Sequence, residues 1–246
     1  MPNDPYLDAS VVWRIKSGNL DFKESSYRSV KEEILSSGLA TEVIGLISSG
    51  KEADVYLSTY RGAPIAIKAY RLYRTSHRGG RPIKLDSIGR LAAHEFEMTR
   101  QAWNGGVHVP APARRVENKF SMRYLGSEDR PAPRLSDIKP DDPAAMLEEV
   151  LSGVEALAHA GVIHSDLSAF NILVHEGHPW FIDLAEAIRV DRTGDTPWKR
   201  LQEASVALDR GLSSLQGYFG RYGLSIEKDS LTHRIVKSLD KFDVLG

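Results

Sequence analysis

No cysteine occurs among the 246 residues, which excludes disulfides and thiolate zinc sites and fits a reducing cytoplasm. No run of 18 apolar residues is present either, so a membrane-spanning helix is not expected. The opening M-P-N-D-P-Y-L-D lacks the basic-then-apolar layout of a secretory leader. Net charge is −1, from 32 Lys/Arg against 33 Asp/Glu, so contact with nucleic acid would have to come from a local patch. One such patch exists. Between Arg71 and Arg90 lie Arg74, Arg78, Arg81 and Lys84, with Asp86 as the one acid and Gly79-Gly80 in the middle. On charge alone a solvated loop accounts for this stretch better than an RNA-docking segment does. Internal repeats and low-complexity tracts are absent, and 41% hydrophobic with 26% charged residues is ordinary for a globular chain.

The chain is long enough to bury a core as one large domain or two small lobes. Residues 1–27 show mixed charge and no period; a helix is expected over 29–37, stopped by Gly38. Three β-rich runs follow at 42–48, 53–60 and 64–70, broken at Ser48-Ser49-Gly50-Lys51 and at Arg61-Gly62, which predicts an antiparallel meander. A helix is expected from about Ser87 to Trp103, then one or two strands within Val116–Tyr124. Asp141-Asp142 and Pro143 mark the start of a further helix, and Gly161 marks its end. Met146, Leu147, Val150, Leu151, Val154, Leu157 and Ala158 keep helical spacing along it. Short strands at 172–175 and 179–182 and helices over 197–241, broken near 220–223, complete the order. Strands first and helices second imply an α+β, bilobal architecture: an extension with a short helix (1–40), an N-lobe (41–124) and a C-lobe (125–246).

The chemistry concentrates at the junction. In I-H-S-D-L-S-A-F-N-I-L-V, Ile163 to Val174, Asp166 stands five residues before Asn171, and the next apolar run delivers Asp183. An H-x-D-x-x-x-x-N segment followed by a strand ending in Asp is the arrangement by which kinase-like folds hold a nucleoside triphosphate and its metal. Asp166 would then lie beside the acceptor hydroxyl, with Asn171 and Asp183 as oxygen ligands to Mg²⁺. His164 is expected to pack and support the loop rather than react.

Upstream, S-S-G-K-E-A-D-V-Y, Ser48 to Tyr56, aligns with a glycine-rich loop, G-x-G-x-x-G-x-V. Gly50 is the one glycine kept; Ser48 and Ala53 are small enough for a close phosphate approach. Ser48, Ser49 and Lys51 are candidate phosphate contacts, and Val55 aligns with the loop's valine. In A-P-I-A-I-K-A-Y, Lys68 projects from one strand face among apolar neighbours and needs an anionic partner if buried. Glu95 is the first candidate and Glu97 the alternative; two residues apart, they cannot both face Lys68. Met122 either lines the back of a purine pocket or is a core methionine, and Arg123 and Leu125 would offer backbone groups to adenine.

With these residues together, the chain resembles the RIO family of atypical protein kinases, most closely the first RIO subfamily, from about Arg28 to Gly223. S-S-G-K-E-A-D-V-Y is similar to that family's nucleotide loop, A-I-K-A-Y-R to its lysine strand, and H-S-D-L-S-A-F-N-I-L to its catalytic loop, with Ser168 where ordinary protein kinases carry lysine. L-D-R-G-L-S-S-L-Q-G-Y-F-G-R-Y-G is similar to its C-terminal helix. Ser165 replaces a usual glycine, and Arg123 stands where the hinge is often acidic. With 63 residues after Asp183 and no A-P-E segment, the expected C-lobe lacks an activation loop and a peptide-binding subdomain. The resemblance implies binding of ATP and Mg²⁺, with Mn²⁺ as a substitute, and serine autophosphorylation or ATPase turnover. It also implies transient phosphoryl acceptance by Asp183 and work with the RNA and proteins of the maturing small ribosomal subunit. A monomeric, cytoplasmic protein of archaeal or bacterial type is expected, because no long charged C-terminal tail follows. Two other readings compete: a small-molecule phosphotransferase of the aminoglycoside-kinase type, and a nucleotide-gated RNA–protein binding module with little turnover.

Overall fold

Alternation of side chains across a five-stranded antiparallel sheet decides where the first lobe buries its residues. The computed structural model describes residues 27–50, 52–71, 85–127, 130–190 and 197–240. Strands β1 (Glu42–Ser49), β2 (Ala53–Tyr60), β3 (Ala63–Tyr70), β4 (Pro112–Val116) and β5 (Lys119–Arg123) lie in the order β1-β2-β3-β5-β4. The β2–β3 turn has positive φ at both Arg61 and Gly62 (52° and 82°), as a two-residue hairpin turn with the native twist requires. On one face Tyr56, Ile67 and Ala69 pack under helix α1 (Tyr27–Ser36) through Val30 and Ile34. On the other, Ala53, Tyr70 and Phe120 meet Ile88 and Ala92 of helix α2 (Leu85–Asn104). Lys68 shares this second face, because side chains two apart on a strand point the same way.

The second lobe is built on helix α3 (Pro143–His159). Asp142 caps it, its carboxylate accepting from the Ala144 and Ala145 amides at 3.0 Å each, with Pro143 in the first turn. Met146, Leu147, Val150, Val154, Leu157 and Ala158 are buried, and Leu151 packs partly buried beside them. Two small antiparallel pairs follow: β6 (Val162–Ile163) with β9 (Ile188–Arg189), and β7 (Ile172–His175) with β8 (His178–Phe181). Helix α4 (Pro197–Phe219), a 3₁₀ turn at Gly220–Tyr222 and helix α5 (Lys228–Asp240) close the lobe. Among the described residues no helix is long and apolar enough to cross a membrane.

Helix α2 belongs to both lobes. Its later residues Met98 and Ala102 join the large core of the second lobe. The Gln101 amide donates to the Ala160 carbonyl at 2.7 Å, and His94 Nε2 lies 2.8 Å from the Ala187 carbonyl. A Cβ on Gly105 would come within 2.6 Å of the Ala160 Cβ, so the helix end sits flush on the second lobe.

Several boundaries differ from the sequence expectation. The region 116–124 resolves into the end of β4 and all of β5, with a turn at Glu117 (φ 52°), and β4 begins at Pro112, a residue suited to the start of an edge strand. Strand β8 ends at Phe181, short of the expected 182, because Asp183 adopts φ 63° and cannot continue an extended ladder. The β6–β9 pair has no periodicity to read, being two residues on each side. Of the basic segment, residues 72–84 lie outside the described residues, as do residues 1–26.

Glycines test the packing. A Cβ on Gly153 of α3 would lie 2.4 Å from the Phe181 ring, whereas one on Gly217 of α4 meets nothing within 4 Å. Gly153→Ala should lower unfolding stability by about 1–3 kcal/mol despite its better helix propensity. Gly217→Ala should raise stability by roughly 0.5–1 kcal/mol. Urea denaturation of both variants checks the pair; equal effects would refute the packing contrast.

Candidate active site

Strand β3, helix α2 and the segment after β8 converge on one ammonium group. Lys68 Nζ lies 2.7 Å from Glu95 Oε1 and 2.9 Å from Asp183 Oδ1. The Lys68 side chain is 11% exposed and that of Glu95 only 3%, whereas Asp183 is 48% exposed and faces the solvent side. Burial pulls the Lys68 pKa down, but the carboxylates of Glu95 and Asp183 outweigh it and hold the group above ordinary lysine. Burial likewise raises Asp183, yet the Lys68 charge wins and keeps its carboxyl below the usual range. Both groups are therefore charged at neutral pH. Glu97 turns away and pairs with Arg100 at 2.5 Å, leaving Glu95 as the partner of Lys68.

Tyr70 completes this centre and was not among the sequence candidates. Its hydroxyl donates to Glu95 Oε2, and its ring lies 5.3 Å from Lys68 Nζ. Burial and then the Glu95 carboxylate push the phenol far above its ordinary pKa, so it remains a donor. The signal was present, since Tyr70 is two residues from Lys68 and shares its strand face.

The catalytic-loop candidates are held by their own backbone. Asn171 Nδ2 donates to the Asp166 carbonyl at 2.8 Å and to Asp166 Oδ2 at 2.9 Å, drawing the two candidate side chains together. Asp166 is exposed, while Asn171 and Asp183 line the cavity described below. Ser168 precedes a 3₁₀ turn over Ala169–Asn171; its carbonyl accepts the Asn171 amide at 3.0 Å and its hydroxyl makes no cap bond. Arg210 of α4 donates to the Ser165 carbonyl at 2.5 Å, a support that only the tertiary fold reveals. The Ser165 hydroxyl is buried and has no partner among the described residues.

A cavity of about 680 Å³ opens between the lobes. Ser48, Gly50, Val55, Lys68, Glu95, Met122, Arg123 and Leu125 are among its lining, so most of the sequence-derived set meets there. Three contacts add to the sequence reading. The Ser49 hydroxyl accepts from Arg71 Nη2 at 2.5 Å, which leaves its own O–H as the group that can donate. The Arg123 amide already donates to the Ala111 carbonyl at 2.9 Å, and the guanidinium lies over the Trp180 ring at 5.0 Å. The Leu125 carbonyl accepts from the Ala132 amide at 2.9 Å, so one of its two lone pairs is already engaged. Lys51 lies outside the described residues.

His164 is the packed support expected from sequence. Its Nε2 is 3.0 Å from the Ile182 carbonyl, and the Asp166 amide donates to Nδ1 at 3.3 Å. These two contacts require a neutral ring protonated at Nε2. Burial lowers its pKa more than the Ile182 carbonyl and the nearby carboxylates raise it. The unfolded chain therefore takes up this proton first, so the stabilising contribution is present above the ordinary pKa of 6.5 and is lost as pH falls below it. The melting temperature should fall between about pH 7.5 and 5, and less steeply in His164→Gln than in the wild type. Parallel slopes would remove His164 from this role.

The same stretch of chain is shared with known proteins. Residues 54–231 match the family model of the RIO domain. The RIO-type serine/threonine-protein kinase Rio1 of Haloferax volcanii is 30% identical over 201 residues, covering 76% of this chain and 66% of that protein. The serine/threonine-protein kinase RIO1 of Homo sapiens is 28% identical over 185 residues, covering 67% of this chain and 32% of that protein. The chain thus spans from about a third to about two thirds of the length of these relatives. The Rio2 kinase of Chaetomium thermophilum, in a complex with ADP, Mg²⁺ and phosphoaspartate, superposes with a TM-score of 0.63 at 20% identity, over 91% of this chain and 74% of that one. That likeness identifies the bilobal architecture as a kinase-like fold. Because the matched segment runs from Asp54 through Lys68, Glu95, the 164–171 loop and Asp183, the centre just described falls wholly within it, and the chain belongs to the RIO family.

Proposed function

We propose that the chain is an atypical serine kinase or ATPase of the RIO type that turns over ATP with Mg²⁺, or with Mn²⁺ in its place. The observation that carries this reading is the convergence of Lys68, Glu95 and Asp183 within 2.9 Å contacts at the wall of one interlobe cavity. Lys68 holds phosphate oxygens, and Glu95 with Tyr70 holds Lys68. The Leu125 N–H faces adenine, with Met122 behind it. Asp166, tied to Asn171, accepts the proton of the acceptor hydroxyl.

Among the described residues no cluster of three or more His, Asp or Glu forms a metal cage. The oxygen donors offered are those of Asn171 and Asp183, the small protein share that a hard cation takes when phosphates supply the rest. Asp183 is kept ionised by Lys68, which fits that role. Held by Asn171 and Asp183, Mg²⁺ would neutralise charge on the phosphoryl group being transferred. Asp183 also serves as a transient phosphoryl acceptor. One of its carboxylate oxygens bonds to the γ-phosphorus as the bond to the β–γ bridging oxygen breaks; ADP leaves with that electron pair, and water later takes the phosphoryl group.

Self-labelling and phosphate release from γ-labelled ATP, followed together with the protein alone, test the activity. Asp183→Ala should abolish both. Asp166→Ala should leave nucleotide affinity near the wild-type value and slow turnover by roughly 10²–10⁴. Wild-type turnover in the Asp166 variant would end the assignment of that residue.

We further propose that the chain works as a cytoplasmic monomer in small-subunit maturation and docks on ribosomal RNA through the basic segment. Of its cations, Arg71 pairs with Asp54, so Arg74, Arg78, Arg81, Lys84 and Arg90 are the candidates for phosphate contact. RNA binding across a salt series should flatten by about one unit of log–log slope per cation removed in the Arg74→Ala, Arg78→Ala, Arg81→Ala variant. An unchanged slope would reduce the segment to a solvated linker.

A further inference from the structure

Only one of the three glycines of a glycine-rich loop is kept here, so something other than glycine geometry must set the shape of the β1–β2 hairpin. The hairpin closes tightly: Ser49 pairs with Asp54 in the ladder, and the Gly50 amide donates to the Ala53 carbonyl at 2.9 Å. A Cβ on Gly50 would lie 3.2 Å from that same carbonyl, which leaves little room for another residue there. The β2–β3 ladder runs to the hairpin's edge, with Ala53 opposite Tyr70.

Arg71, the first residue beyond β3, then reaches back over this edge. Its amide donates to the Glu52 carbonyl at 2.8 Å. Its guanidinium forks onto Asp54, Nε to Oδ2 at 3.2 Å and Nη2 to Oδ1 at 2.7 Å, and Nη2 also reaches Ser49 Oγ at 2.5 Å. The side chains are 31% and 17% exposed, so the fork is partly shielded from water and salt. One residue thus touches both sides of the hairpin, and it stands three residues after Lys68, just past the end of β3.

We infer that Arg71 is a positioning residue for nucleotide binding: through Asp54 and Ser49 it fixes the hairpin at a set distance from the Lys68 ammonium. Resting on the function proposed above, this adds a residue that touches neither nucleotide nor metal. A lysine at this position keeps the charge but cannot make the fork, because its single ammonium has no planar pair of donors. The fork acts on the bound ground state and the transition state alike, so its loss weakens binding more than turnover.

The test combines titration of a fluorescent ATP analogue with Mg²⁺, steady-state turnover and amide hydrogen exchange on the full chain. Arg71→Ala and Asp54→Asn should each weaken nucleotide binding about tenfold, the loss expected for a charge-assisted hydrogen-bond pair, with kcat changed by less than about twofold. The double variant should be no worse than the weaker single one, and Arg71→Lys should recover only part of the loss. The Gly50 amide should exchange faster in these variants while β3 amides are unaffected. Unchanged affinity in Arg71→Ala would overturn the inference even if exchange rises, since the fork would then be merely structural. Additive losses would overturn it too. Lys68→Ala serves as the control for the wider reading. If the wild type binds no better than this variant, the proposed function fails and the role of Arg71 falls with it; if Lys68→Ala loses binding while Arg71→Ala keeps it, the role of Arg71 alone is overturned.

Discussion

An ammonium group that is nearly out of water must be neutralised where it sits, and Lys68 is neutralised from two lobes at once. Glu95 reaches it from α2 and Asp183 from the segment after β8. Removing either partner would leave the remaining charges under-compensated in a partly dry site, a large cost when a buried pair is broken. Glu95 is in turn held by the Tyr70 hydroxyl. The position of α2, the exit angle of β8 and the burial of Tyr70 are therefore linked through one cation. This linkage requires a firm joint between the lobes, which the structure provides where α2 packs into the second core through Met98 and Ala102.

Backbone conformation at Asp183 belongs to the same constraint. A non-glycine residue at φ 63° is uncommon, and aspartate is among the residue types that tolerate it best. The turn takes the chain out of the β8 ladder and aims the carboxylate back at Lys68. The Ala185 backbone helps to favour the charged form of that carboxylate, and His164 accepts the Asp166 amide while contacting the Ile182 carbonyl. Residues of the 164–171 loop and of the segment around Asp183 are thus tied to one another by the fold itself. Preorganisation of this kind reduces the ordering that a bound nucleotide must impose.

The β1–β2 hairpin reaches a similar end by other means. Glycine-rich loops rely on residues without Cβ for close approach. Here Ser48 and Ala53 supply small side chains, and the Arg71 fork supplies the restraint. Ser49 shows what a sequence reading leaves out at such a place: its residue type and spacing suit a phosphate contact, and its hydroxyl oxygen also accepts from Arg71, the residue just beyond β3. Arg123 is a comparable case. Its place at the hinge was legible, but the engagement of its amide by Ala111 depends on a β4 approach that starts at Pro112 and carries no strong strand pattern.

Local patterns determined much of this protein. Alternation in A-P-I-A-I-K-A-Y put Lys68 on a strand face, Asp142-Pro143 fixed the start of α3, and the 166–171 spacing brought Asp166 and Asn171 within reach of each other across a single 3₁₀ turn. These follow from periodicity, capping and short-range geometry, which act within a few residues. What tertiary structure decided is how separated segments meet: Glu95 rather than Glu97 at Lys68, Tyr70 on Glu95, Arg71 on Asp54 and Ser49, and Arg210 on the Ser165 carbonyl. Two acids two residues apart on a helix have similar local energies, and only the packing of α2 against both lobes selects which one faces the sheet. Partners such as Arg210 and Ser165, 45 residues apart, leave no trace in local sequence because their contact exists only once α4 lies against the loop.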